Sequence, residues 1–287
     1  MFVSDCFCHR SEAMGKTTMC KRIGWTGTAL FLLLLGVGPA RAVDASGAIW
    51  NAENKAFEGV VRWKGMAKVY TVTMKNGVEL EIPLKDVGHM RIAEPAGFKA
   101  AVEQVREGKG VQAIPVLEQM AQDYAMLQWD VAATRWLAEA CLRGGKPDKA
   151  VSGCERVIER KPDAAVIGEM APVYWQALLA AGRNAKLDEV LTSAAKSTNP
   201  EVLARIYLVR GDMLKKQNDP AGALREGYLR TVVLCLTARG PRAEALFKAS
   251  KELDELGQVN QAGGLRGILL REYADSEWAQ RVRAGDR

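Results

Sequence analysis

Histidine is the residue this chain most nearly lacks. Two occur in 287 residues, and only His89 lies beyond the first 42. A multi-histidine metal centre is thereby excluded, and a catalytic triad would have to rest on a residue inside a predicted strand. His89 itself reads as a residue on the surface of that strand. No nucleophile, base and orienting group can be nominated together, so the sequence points away from an enzyme and calls for no cofactor and no metal. Long apolar runs are missing too. The longest, inside residues 28–38, is shorter than the ~20 residues that span a bilayer. Acidic residues are plentiful but fall at helical spacing beside Lys and Arg, as in Lys248/Glu252 and Lys251/Glu255. That is the pattern of solvated helix faces.

What is present at the N-terminus is an export signal. Lys21 and Arg22 precede the apolar run, and Ala40-Arg41-Ala42 places small residues at both positions of a signal-peptidase site. The expected product begins at Val43 and is periplasmic or secreted, with no membrane span left after cleavage. Residues before Met14 or Met19 do not look like a leader, so an upstream start is in question. Gly15-Lys16-Thr17-Thr18 has the end of a phosphate-binding loop, but Arg10 stands where that motif needs glycine. Of the 40 Lys+Arg and 34 Asp+Glu, five and two lie in the first 42 residues, which leaves 35 and 32 in the mature chain. The basic balance is therefore largely that of the leader, and a nucleic-acid partner, which needs a concentrated basic surface, is not expected.

The most informative feature of the rest is a repeat. Gly108/Ala113, Gly145/Ala150, Gly182/Leu187, Asn218/Ala223 and Gly257/Ala262 pair a turn residue with a small or apolar residue five places later. The turns recur at intervals of 37, 37, 36 and 39 residues, a period that means stacked supersecondary units rather than one catalytic pocket. Each unit reads as an αα-hairpin, with Gly or Asn at the left-handed position that ends one helix. Pro147 and Pro220 then sit in the first turn of the next. Small residues seven before the turn (Ala101, Ala138, Gly211, Ser250) and five after it mark where paired helices would cross most closely.

The stretches Ala138–Pro162 and Gly211–Leu234 carry this pattern best, and residues 272–279 (EYADSEWA) close it. The chain over roughly 94–280 resembles the tetratricopeptide repeat (TPR) family, and its last unit resembles those of exported bacterial TPR proteins of Tol-Pal and outer-membrane assembly systems. The departures are a period above 34 residues, a helix A aromatic kept only as Tyr207, and Trp175 where the third unit should be small. Asn199-Pro200 and Gly240-Pro241 are expected links between units. The resemblance implies that the first helix of each hairpin lines a concave face holding a segment of another protein. Counted from the turns, the candidates there are Arg135, Glu139, Gln176, Arg205, Asp212, Phe247 and Lys251.

A different period precedes the repeats. Val61/Trp63, Tyr70/Val72/Met74, Val78/Leu80/Ile82 and Val87–Ile92 alternate with polar neighbours as half-buried strands do. Asn76-Gly77 supplies a tight hairpin turn. The order, with a short Pro83-Leu84 turn before the last strand, looks like a small SH3-like barrel. A unit this small buries little surface, so it either packs on the first repeat as a cap or self-associates through an edge strand.

The expected fold class is therefore mainly α: a TPR-like αα-hairpin solenoid of about five repeats over 94–287, preceded by an all-β domain over 43–93 and a leader over 1–42. Cys141 and Cys154 flank the turn at Gly145 and read either as a disulfide, which export would allow, or as buried thiols. Trp129, Trp136, Tyr174, Trp175 and Trp278 are expected to fill space between hairpins. The expected function is an exported, non-enzymatic scaffold for envelope or secreted proteins or peptides. The rival is an envelope assembly protein that acts by oligomerising its β-domain.

Overall fold

The computed structural model describes residues 43–286. The expected leader, with Ala40 and Ala42 of the expected cleavage site, lies outside the described residues, and Val43 is the first of them. The described chain is mainly helical with one antiparallel sheet.

The sheet has five strands: β1 (Ala45–Asn51), β2 (Ala56–Lys64), β3 (Val69–Thr73), β4 (Glu79–Pro83) and β5 (Val87–Ile92). Their order is β4-β3-β2-β1-β5. The four expected strands form, and Gly77 takes φ of 81° in the turn between β3 and β4, where the Asn76 side chain accepts from the Val78 amide at 3.1 Å. A 3-10 turn over Leu84–Asp86 leads into β5. The unexpected strand is β1, which pairs with both β2 and β5. Ile49, Val61, Tyr70, Val72, Ile82 and Ile92 alternate inward to make the sheet's core.

The helices run in pairs: α1 (Phe98–Arg106) and α2 (Gly110–Asp123), α3 (Trp129–Arg143) and α4 (Pro147–Ile158), α5 (Met170–Ala180) and α6 (Asn184–Ala194). Next, α7 (Pro200–Lys216) pairs with a segment in which α8 (Pro220–Gly222) passes through a π-helical stretch, Ala223–Tyr228, into α9 (Leu229–Leu234). Then α10 (Arg239–Glu255) pairs with α11 (Val259–Glu272), and α12 (Glu277–Arg283) follows.

All five turn residues adopt the left-handed conformation, with φ between 60° and 81°. All five residues that follow them by five places are fully buried. Neighbouring pairs are tied at a spacing close to the repeat. Arg143 donates to the Val105 carbonyl at 2.8 Å, and Lys216 to that of Leu179 at 3.0 Å. In each case a basic group near the end of one helix satisfies a carbonyl near the end of the preceding unit's first helix.

Two local features depart from expectation, at Gly240-Pro241 and at the Gly211 crossing. Asn199 does cap α7, accepting from the Glu201 amide at 2.9 Å. Gly240-Pro241, however, lies in the first turn of α10, so the link before that helix is 235–238. In the third unit Trp175 is fully buried and donates its indole N–H to the Ala165 carbonyl at 2.8 Å, filling room opened by the long α4–α5 link. In the fourth, the closest helix crossing joins Gly211 to Gly227 rather than to Ala223, because the π stretch carries Gly227 onto that line.

The sheet does not stand alone. Leu127, from the link between α2 and α3, is fully buried in the sheet core. Tyr70 Oη donates to the Met126 carbonyl at 2.9 Å, the Ile92 amide donates to Gln128 Oε1 at 3.0 Å, and Trp129 Nε1 donates to the Ile92 carbonyl at 3.0 Å. A helical-region leucine thus adds to the core of a β unit that buries little surface by itself. Met126 and Gln128 hold φ of 65° and 73° in this link. The Asp130 carboxylate, fully buried, accepts from the Met126 amide at 3.0 Å and from Lys161 at 2.8 Å. Burial, then the Asp130 charge, pushes the Tyr70 hydroxyl up to about 12.

Candidate functional site

A cavity of about 790 Å³ opens between α3, the α4–α5 link and the start of α7. Its walls come from the helices that open the second, third and fourth pairs, together with the end of α1. Arg106, Arg135 and Arg205 line it, with Trp136, Glu169 and Glu201. The residues reach one another because the end of α1, α3, the α4–α5 link and the start of α7 border one opening.

Trp136 organises two of the three cations. The Arg135 guanidinium lies 4.1 Å from its ring centroid and that of Arg106 5.3 Å, both in cation–π range. Arg135 also approaches Glu139 at 3.8 Å, and its Nε is buried with no hydrogen-bond partner among the described residues. Arg205 is exposed and has no ion pair among them. Two helix N-termini add positive potential: Ala171 and Val173 in the first turn of α5, and Glu201 and Val202 in that of α7, belong to the cavity wall. A guanidinium offers hydrogen-bond donors in a planar fork and no acceptor. The arrangement is therefore suited to holding carboxylates, backbone carbonyls and apolar side chains.

The seven groove candidates divide. Arg135 and Arg205 are brought together in the cavity. Glu139 stands beside it, held by Arg135 and by Arg143 at 2.6 Å. Gln176 is exposed on α5 but outside the cavity wall. The other three make contacts within the chain, and of these Phe247 is corrected by the structure. Phe247 is 3% exposed, packed on Trp278 at 5.3 Å and under Arg281 at 4.7 Å, so it belongs to the core. Asp212 accepts from Tyr228 Oη at 2.8 Å and from Lys248 at 2.8 Å, which joins α7 to α10 instead of facing a partner. Lys251 is held by Asp286 at 2.7 Å. Counting from a turn finds the side of a helix but not whether the next unit already occupies it.

Within α10, Glu244 also pairs with Lys248 at 2.7 Å, and Lys215 of α7 pairs with the buried Glu252 of α10. Against burial, Glu244 and Asp212 hold the Lys248 ammonium above its ordinary pKa. Burial, then Asp212, raises the Tyr228 hydroxyl well above its usual range.

Sequence reasoning missed Arg106, Glu169 and Glu201, and assigned Trp136 to packing. Trp136 is in fact half-buried and exposes part of its ring to the cavity. The available signal was the long link between α4 and α5, whose extra residues form one wall. The bridge considered for Cys141 and Cys154 is absent: both are buried free thiols, as is Cys235. Burial pushes the Cys154 thiol up to about 12, and Glu155 and Cys141 add to the rise, so the protonated, unreactive form is favoured. His89 is exposed on β5 and stacks on Trp50 at 4.4 Å.

Among the described residues no group of His, Cys, Asp and Glu is arranged to hold a metal ion, and no helix is long and apolar enough to cross a membrane. Comparison with protein-family models, curated proteins and solved structures finds no match to this chain.

Proposed function

We propose that this protein is an exported, non-enzymatic scaffold that holds a segment of another envelope or secreted protein in the cavity between α3, α5 and α7. The observation that carries the reading is the convergence of Arg106, Arg135 and Arg205 around Trp136 in one opening of about 790 Å³. On this reading the helix pairs form a TPR-like solenoid, supported by five left-handed turn residues at near-constant spacing, each followed by a buried residue five places on. The sheet is an SH3-like cap, supported by its strand order and the 3-10 turn before β5. Its docking through Leu127 and Trp129 favours a fixed cap over a free oligomerising domain. Export is supported by the basic, apolar and small-residue series ending at Ala42.

Two measurements test this. Affinity capture from envelope extract with the Arg135→Ala plus Arg205→Ala double variant is expected to lose at least ~1 kcal/mol of binding, about fivefold. Its melting temperature should stay within a few degrees, since neither side chain is buried in the core. Capture that survives the double change but is lost on Trp50→Ser would move the site to the sheet. Separately, intact-mass analysis of protein recovered from its native compartment is expected to show a chain beginning at Val43. A full-length cytosolic product would overturn the export reading, and a product retaining residues 28–38 would make the apolar run an anchor.

A further inference from the structure

The second distinctive surface lies on the fourth helix pair and uses none of the residues assigned above. Val233, Leu234 and Leu236, at the corner where α9 turns toward α10, are 65%, 63% and 61% exposed. Large apolar side chains this exposed, three within four residues, are not what a fully solvated corner needs. The corner is rigidly supported from below. Cys235 and Ala238 are buried against Ala204, and Arg242 Nε donates to the Val232 carbonyl at 3.0 Å. Beside it runs a shallow depression of about 500 Å³, lined by Leu224, Leu229, Val233, Leu234 and Leu256. The π stretch Ala223–Tyr228 contributes to its wall, and such irregularities cluster at functional positions.

Arginines outnumber carboxylates in the wall of this depression. Arg225 and Arg230 stand in the wall of the depression, and both share the single Glu226 carboxylate, at 2.9 and 2.5 Å. Arg239, just past the corner, donates only to the Glu272 backbone carbonyl at 3.2 Å and has no carboxylate partner among the described residues. An apolar tip rimmed by a net excess of arginine is complementary to an anionic bilayer surface, where apolar side chains enter the headgroup boundary and guanidinium groups meet phosphates. A buried helix partner fits less well, because the apolar side chains project from a corner rather than lining a deep groove.

We propose that the α9–α10 corner docks the protein on the surface of an anionic lipid bilayer, inserting Val233, Leu234 and Leu236 with Arg225, Arg230 and Arg239 at headgroup level. The proposal does not depend on the cavity between α3, α5 and α7 or on export.

Hydrogen exchange on the full chain tests it, because the readout is local to the corner. Vesicles containing phosphatidylglycerol are expected to slow exchange across residues 229–239 by on the order of tenfold, and vesicles of phosphatidylcholine alone much less. The Val233→Ser, Leu234→Ser, Leu236→Ser triple variant should lose this protection while keeping its circular dichroism and melting. Arg225→Gln plus Arg230→Gln should lose its anionic-lipid preference, and serves as the second variant if the triple one folds poorly. Equal protection in the triple variant, or equal protection by both lipids in the wild type, would overturn the proposal. So would protection without vesicles that grows with protein concentration, which would assign the face to a second copy of the chain.

Discussion

Gly227→Ala is expected to destabilise this protein by about 3 kcal/mol or more, lowering its melting temperature by ~6 to 12 °C for a chain of this size. A methyl group there would collide with the Gly211 Cα and come within 2.9 Å of the Tyr207 carbonyl oxygen. Both neighbours are helix backbone, and neither can rotate away as a side chain would. Gly211→Ala meets the Tyr228 ring at 2.5 Å instead and should cost less, because a ring can tilt, though it would strain the Tyr228–Asp212 hydrogen bond. Ala223→Leu, overpacking a fully buried position, is expected to cost ~1 to 3 kcal/mol. Urea titration of the three variants gives the ranking. A Gly227→Ala loss below ~0.5 kcal/mol would mean that the two helices do not approach as described.

Asp130→Ala is expected to cost about 3 kcal/mol and to loosen the sheet from the helices. The carboxylate is fully buried, so its hydrogen bonds to the Met126 amide and to Lys161 are made in a poorly solvated setting and are not recovered from water when it is removed. The link it braces contains two non-glycine residues at positive φ, which surrounding contacts must hold in place. That link also delivers Leu127 to the β core and Trp129 to the Ile92 carbonyl. Native-state hydrogen exchange should therefore show the sheet opening more readily than α10 and α11 in this variant. Uniform loss across the molecule would mean that Asp130 supports the whole fold, not the docking of the sheet in particular.

The repeat was legible because it is written in residue types with few uses. A left-handed backbone position admits Gly and Asn at little cost, so five such residues at near-equal intervals mark the turns, and the small or apolar residues five places on mark the buried starts of the second helices. The strands β2 to β5 were legible for a similar reason, since one-sided burial imposes alternation. Strand β1 was not. It lies between β2 and β5 and opens with Ala45, Ser46, Gly47 and Ala48, small residues that fit where the Arg91–Ile92 backbone comes too close for a larger one and that show no alternation of bulk.

The sites were legible in part. Arg135 and Arg205 could be placed on one side of their helices by counting from a turn, and the structure does bring them into one cavity. Asp212, Phe247 and Lys251 satisfy the same count but are taken by Lys248, Trp278 and Asp286. Phe247 and Lys251 find partners in the C-terminal segment after α11, whose position over α10 no periodicity announces. The free, buried state of Cys141 and Cys154 likewise follows from which way two helices face.

Sequence alone determined the types of most elements, the five turns and the order of the β and helical regions, because these depend on local backbone preference and on periodic burial. Only the tertiary structure decided that Leu127 completes the sheet, that Gly211 meets Gly227, and which arginines remain unpaired. Those outcomes depend on distances between residues far apart in the chain, set by the packing of one helix pair on the next, and a local pattern carries no record of them.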